Sequence, residues 1–448
     1  MQKYAFSIFA LCLFFIGSYD NVFAQQLIVK QGESIQGVID KAANGDSIVV
    51  KAGLYEENLV IDKEINLFGE NGTILDGGGQ GTVITVNSSN VHIKDLNIRM
   101  SGKKDRDAGV LITGDNVKIE DITIEQVLFG IYAIETKGTT ILNNKISSYP
   151  LHFSQRGSGV HLFKTGHATV NDNHIFTVQD GIYLDFAKNS MLTRNKIHGA
   201  RYALHFMYSS GAEASYNELF NSINGLMVME TKQVDIHNNI VTKQLHYRGY
   251  GVLLYDSDLI TFSNNTIMYN SNGLQVEDLR ESVIKNNTVA GNHVGLAMTD
   301  ENVKVSIFKN NFIGNVVQAK LVDQGNLNID NGFIGNYWDD HQSFDLDGDG
   351  ILDTSYEAGS MYDKLLIAQP TFQFYFESPA IKTWASAESL LPSVGVEKGI
   401  DRFPVNKPFE YEESEEKEVG RNGAAGIIGI LFIISAVALL QWGRMNRA

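Results

Sequence analysis

Two short stretches, ALHFMYS at Ala203–Ser209 and GLMVME at Gly225–Glu230, carry His205, Met207, Met227 and Met229 at matching offsets, the second beginning 22 residues after the first. One imidazole and three thioethers without a thiol make a soft, uncharged donor set. It suits Cu(I) and suits Mg²⁺, Ca²⁺ or Zn²⁺ poorly. The chain's one cysteine, Cys12, lies in an N-terminal leader. The exported protein would therefore form no disulfide and could not lose its site by thiol oxidation. The competing explanation for the methionines is packing, because Met fills irregular gaps in cores.

What would position these side chains is an internal repeat. An Asn-x-(aliphatic) pattern recurs with Asn at 144, 173, 195, 217, 239, 265, 287 and 311, at intervals of 29, 22, 22, 22, 26, 22 and 24 residues. A Gly-(aliphatic)-x-(apolar) stretch follows at Gly159, Gly181, Gly225, Gly251, Gly273 and Gly295, with Ala203 in place of one glycine. A unit this short is no helical pair. Its segments are β-branched with a period of two and are separated by Gly and Asn turns. Such units bury their apolar faces only by stacking. The expected fold is all-β, a right-handed parallel β-helix of about 22-residue coils, with the Asn run as a ladder of turn side chains. Ser34–Ala43, apolar at helical spacing with Ser34 as N-cap, is expected as an N-terminal capping helix.

Strand alternation sorts the columns. Ile182, Leu204, Leu226 and Val252 would face the core, as would Leu184, Phe206, Val228 and Leu254. The positions between and after them, His161, Tyr183, His205, Met227 and then Phe163, Asp185, Met207, Met229, would face outward into solvent. His205 and Met207 would then stand about 7 Å apart on one rung, with Met227 and Met229 about 4.8 Å away on the next and His161 roughly 10 Å off. Two coils have longer turns, Tyr149–Ser158 and Leu245–Tyr250. With Arg156, His246 and Arg248, and with Tyr183, Asp185 and Arg201 on the strands, they are expected to wall a groove or contact a partner; ordinary surface loop is the alternative.

Further along, Asp345, Asp347, Asp349, Gly350 and Asp353 fall on positions 1, 3, 5, 6 and 9 of a calcium loop that lacks its twelfth-position carboxylate. Calcium there would stiffen the exit from the solenoid; the alternative is a solvated acidic turn. Lys3, the apolar run Tyr4–Gly17 and Val22-Phe23-Ala24 read as a secretory signal. The apolar run Gly423–Trp442, preceded by acids and followed by Arg444 and Arg447, reads as a transmembrane helix with its tail in the cytoplasm. The expected organisation is a signal over 1–24, cap and first coils over 25–90, β-helix over 91–340, and acidic loop with C-terminal cap over 341–380. A docking segment and tether then covers 381–422, the membrane helix 423–442 and the tail 443–448. A formal charge of −16 disfavours a nucleic-acid partner. No phosphate-binding G-x-x-x-x-G-K-[ST] sequence is present, so any ATP hydrolysis would belong to a partner.

Several segments resemble the NosD family: RGSGVHL at Arg156–Leu162, QDGIYLD at Gln179–Asp185, RYALHFMYS at Arg201–Ser209, the stretch Gly335–Tyr356 and MYDKLLIAQP at Met361–Pro370. The motif matches at Arg201, Tyr202, His205, Met207, Tyr208 and Ser209. The resemblance implies a periplasmic β-helix, not an enzyme, that binds copper transiently. It would supply copper, with sulfur as a second cargo, during maturation of nitrous oxide reductase. Implied partners are an ABC transporter permease and ATPase and the reductase, with a copper-donor chaperone as a further candidate. Attachment to the inner membrane through the C-terminal helix is expected from the apolar run alone, not from the resemblance. Two other classes compete. One is a polysaccharide-active β-helix enzyme, for which Asp180, Asp185 and Arg201 would have to form the site. The other is a tethered module that binds sugar or protein.

Overall fold

Short β-branched segments alternate with turns in which Asn, Asp, Lys and other residues adopt left-handed backbone, as at Asn143, Lys164, Phe186 and Tyr208 (φ 52, 53, 54 and 52°). Three such strands make one coil, and the coils stack in parallel. The computed structural model describes residues 24–299, 302–321, 327–358 and 399–410, with 375, 378–380 and 383 as isolated positions. Among them, three long parallel sheets of 13, 12 and 13 strands run along a right-handed solenoid of about 14 turns. The first sheet runs from Gln26–Val29 to Ser306–Phe308, the second from Leu59–Ile61 to Val317–Leu321, and the third from Gly53–Glu56 to Tyr337–Trp338. The chain divides between Phe409 and Glu410, and the solenoid lies wholly in the first unit.

The aliphatic columns meet inside. Ile182, Leu184, Leu204, Phe206, Val228, Val252 and Leu254 are fully buried, as the alternation requires. The recurrent glycine is explained by close approach: a Cβ on Gly181 would collide with the Ala203 carbonyl of the next coil and the Ile197 side chain.

The Asn ladder is continuous. Side-chain amides link Asn144, Asn173, Asn195, Asn217, Asn239, Asn265, Asn287, Asn310 and Asn336 in turn, each donating at 2.9–3.1 Å. The expected member Asn311 is displaced by one residue: Asn310 is fully buried in the ladder, while Asn311 donates to the Phe409 carbonyl and accepts from its N–H. A second, shorter ladder not anticipated from the sequence runs from Gln244 through Asn270 and Asn292 to Asn315.

At the N-terminal end the helix is one turn, Ile35–Ile39, shorter than expected. Ser34 does cap it, accepting from the Gly37 N–H, and Ile35 and Ile39 are buried. At the other end lies a departure from the expected tether over 381–422. Gly399–Asp401 joins Leu327–Asn328 and Tyr356–Ala358 in a three-stranded sheet. Asp401, fully buried, accepts from the Trp338 indole at 2.9 Å and from the Asn336 backbone N–H at 2.7 Å, so it terminates the Asn ladder. Arg402 grips Asp330 with three hydrogen bonds, two from its guanidinium and one from its backbone N–H. An alternation-based reading could not find this contact, because it joins residues more than 60 positions apart. Among the described residues no helix is long and apolar enough to cross a membrane. The expected span Gly423–Trp442 lies outside them, as does the leader through Phe23.

Candidate metal centre

The second sheet carries the His/Met column. In-register pairing runs Tyr132, His161, Tyr183, His205, Met227, Leu253, one residue per coil. Beside it runs Phe163, Asp185, Met207, Met229, Tyr255. Both columns point away from the buried aliphatic face, as expected.

The expectation that the first column projects into solvent is corrected. His161, His205 and Met227 are only 9, 5 and 4% exposed. The physical reason is the rung spacing. In-register residues lie about 4.8 Å apart, close to the stacking distance of flat rings, so each side chain covers the next. Tyr132, His161, Tyr183 and His205 form one continuous stack, with centroids 4.5, 4.5 and 4.3 Å apart and planes within 25°. Phe129 extends it at one end, and Tyr202 meets His205 edge-on at 4.8 Å.

The electrostatics within the stack are asymmetric. The His205 Nδ1 lies 3.1 Å from Asp180 Oδ2, and Asp180 is held from its other side by two hydrogen bonds from Arg201. Burial pushes the Asp180 carboxyl up, but the hydrogen bonds from His205 and Arg201 outweigh it and leave the group below the usual carboxylate range. An ionised Asp180 can only accept, so His205 carries its proton on Nδ1. The opposite nitrogen, Nε2, is buried and without a hydrogen-bond partner. A carboxylate behind an imidazole that presents its other nitrogen is the arrangement that orients metal-ligating histidines. His161 has no hydrogen-bond partner on either nitrogen, and burial pulls it down to about 4, so it is neutral at pH 7. Its Nε2 stands 3.7 Å from Asp185, whose carboxyl is raised by burial. Burial also raises the Tyr183 phenol, which keeps its proton and donates toward Met207 Sδ at 3.7 Å.

Among the described residues, ligand atoms of three or more His, Cys, Asp or Glu side chains converge within 4.8 Å only at Asp345, Asp347 and Asp349. A metal at the stack would therefore need thioethers to complete its donor set, and Met207, Met227 and Met229 are the neighbours in register that supply them.

The expected groove residues separate. Tyr183 and Asp185 belong to the stack and its rim. Arg201 is tied to Asp180 and lies over the Tyr202 ring at 4.2 Å. Arg156 reaches the Gly199 carbonyl, with its Nε buried and unpartnered. His246 and Arg248 are exposed on their turn, both against Tyr247. Of the two carboxylates that the polysaccharide-enzyme reading invokes, Asp180 is 1% exposed and engaged by His205 and Arg201, and Asp185 faces His161 at 3.7 Å. In the acidic loop, Asp345, Asp347 and Asp349 come together, whereas Asp353 turns to accept from the Leu346 N–H. Sequence reading missed two features: Asp180 as the group behind His205, and a histidine pair on the third sheet, His174 and His198, whose Nε2 atoms lie 3.2 Å apart.

The fold and this column define a class: a parallel β-solenoid that presents an oriented imidazole beside thioethers. The family model described as periplasmic copper-binding protein (NosD) matches residues 142–343. Two proteins named probable ABC transporter binding protein NosD match at full-length scale. The one from Pseudomonas aeruginosa is 26% identical over 82% of this chain and 90% of its own, and that from Stutzerimonas stutzeri 25% identical over 82% and 88%. The chain is thus similar to the NosD family, through the family model over residues 142–343 and through both relatives over 82% of its length. Among solved structures, an exopolygalacturonase of Yersinia enterocolitica aligns with a TM-score of 0.52 at 13% identity, covering 69% of this chain and 79% of its own. The A-module of the Azotobacter vinelandii mannuronan C-5 epimerase AlgE6 aligns at 0.50 and 15% identity, covering 64% and 90%. At these identities they establish the shared solenoid alone.

Proposed function

We propose that this chain is a periplasmic copper carrier that holds Cu(I) transiently at His205, Met207, Met227 and Met229, with His161 as a further donor in the stack. It would hand the ion on during maturation of nitrous oxide reductase, working with an ABC transporter permease and ATPase and receiving copper from a donor chaperone. The C-terminal segment would hold it at the inner membrane. The observation that carries this reading is the His205 Nε2. It is buried and without a hydrogen-bond partner, while Asp180 holds the ring from the Nδ1 side. Imidazole and thioether donors are soft and bring no anionic charge, so a monovalent ion would be bound without the desolvation cost of an ionised ligand. The match to the family model and the names of the two relatives support the cargo and the transporter.

The test is anaerobic Cu(I) titration of the mature chain against a competing chelator. One tight equivalent is expected. Met207→Leu combined with Met229→Leu preserves volume and removes sulfur, and should abolish tight binding in a folded protein. Asp180→Asn, which loosens the imidazole, should weaken it about tenfold. Unchanged affinity in the folded double variant would overturn the ligand assignment.

A further inference from the structure

The third sheet carries a cluster that the copper reading leaves unused. His174 and His198 sit on the outer face of adjacent strands, His174–Phe176 and Lys196–His198, where His174 pairs with Lys196 and Phe176 with His198. The histidines are therefore diagonal neighbours. Between them Ile175 and Ile197 point into the core and are fully buried. The two rings turn toward each other until their Nε2 atoms are 3.2 Å apart. Aromatic neighbours hold that pose. Phe220 stacks on His198 at 4.8 Å, and Phe176 lies parallel to His198 and packs against His174 at 5.0 Å.

Two imidazoles bound to one ion at about 2.0–2.1 Å have nitrogens about 2.9 Å apart in a square-planar site and about 3.4 Å apart in a tetrahedral one. The observed separation falls between these values. In the apo state one ring donates to the other. On metal binding each imidazole can keep its single proton on Nδ1 and direct the Nε2 lone pair at the ion, so no net proton need be lost. Burial leads the causes that lower the affinity of both rings for a proton, so both are neutral at pH 7. Of the two nearby ammonium groups, Lys196 is drawn to Glu218 at 2.9 Å and Lys145 toward the Phe176 ring. No third His, Cys, Asp or Glu among the described residues completes a chelating group here. The remaining positions would thus be open to water or to a donor from another molecule.

We propose that His174 and His198 form a second metal site, an open two-imidazole site for a divalent first-row ion, filled best by Cu(II). Nitrogen donors without sulfur favour the divalent state, and Cu(II) heads the affinity order for such ligands. The site differs from the thioether column in sheet, donor type and preferred oxidation state, and stands whether or not that column binds Cu(I).

The experiment is aerobic titration of the tag-free mature chain with Cu(II) at pH 7.5, followed by electron paramagnetic resonance. One equivalent should give an axial signal with nitrogen superhyperfine structure. His174→Gln and His198→Gln should each lower the affinity at least tenfold and abolish that signal, whereas the Met207→Leu and Met229→Leu double variant should retain it. Both rings are half-exposed, and circular dichroism checks that the Gln variants fold. Independently of any variant, Cu(II) should broaden the ring resonances of His174 and His198 in the ¹⁵N-histidine-labelled chain before those of His92 or His237. Absence of a bound signal, a signal that survives both Gln variants, or broadening that spares this pair would each overturn the proposal.

Discussion

His205 and His161 lie two rungs apart in one stack, yet their surroundings prepare them differently. His205 has a buried carboxylate behind it, while His161 is neutral because burial leaves it no compensating partner. The second case makes a stability prediction. The folded-state value of about 4 lies below the ordinary 6.5, so between these limits the unfolded chain binds the proton that the folded chain refuses. Stability from this residue is complete above pH 6.5 and is lost as pH falls toward 4, up to roughly 3 kcal/mol. Denaturant unfolding of the apo chain and of His161→Leu should give curves that diverge over this window, the parent losing more. Parallel curves would reject the assignment. At this scale the column itself was legible, because His and Met at 22-residue offsets are visible as letters. Their burial was not, because outward direction follows from alternation while exposure depends on what the neighbouring coil places over the ring. Asp180 stood out only as a candidate enzyme carboxylate; its place behind His205 was not legible, because it begins its strand, outside the alternating positions.

At the scale of elements, the ladder is the main source of register. The Asn217 amide donates to the Leu192 carbonyl and to Asn239, and its oxygen accepts from both the backbone and the side chain of Asn195. Asn217→Ala would strand these buried groups at a cost of about 2–4 kcal/mol. The expected outcome is a lower denaturant midpoint with secondary structure retained; a change within error would show that the ladder follows the coil rather than setting it. The column was readable in the sequence wherever the coil is regular and slipped by one residue at Asn310-Asn311, where Ile313 completes the aliphatic pattern for the second asparagine. The coil instead places Phe312 in the core opposite Val289, so the first asparagine enters the ladder and the second ties down Phe409.

For the molecule as a whole, the solenoid's C-terminal end is closed by residues that return from far along the chain. Asp401 accepts from Asn336, Trp338 and Phe403, all next to the last coil. Asp401→Ala should leave these donors unpaired and lower the thermal midpoint by several degrees, with new proteolytic cleavage inside 399–409. Protection equal to that of the parent would show that Arg402–Asp330 suffices alone. The repeat architecture was legible because periodicity is a property of neighbouring letters. The closure was not, since a single carboxylate meeting the final asparagine leaves no periodic trace.

Stacked rings and a hydrogen-bonded amide run leave the frame almost no freedom along its axis. Unlike a hinged binding protein, it cannot shut around an ion and then open to discharge it. If the column carries copper, exchange would begin with side-chain rotation at the rim, and a recipient would arrive with competing ligands of its own. The direction of traffic would then be decided by which visitor docks, and the carrier would be the same shape before and after.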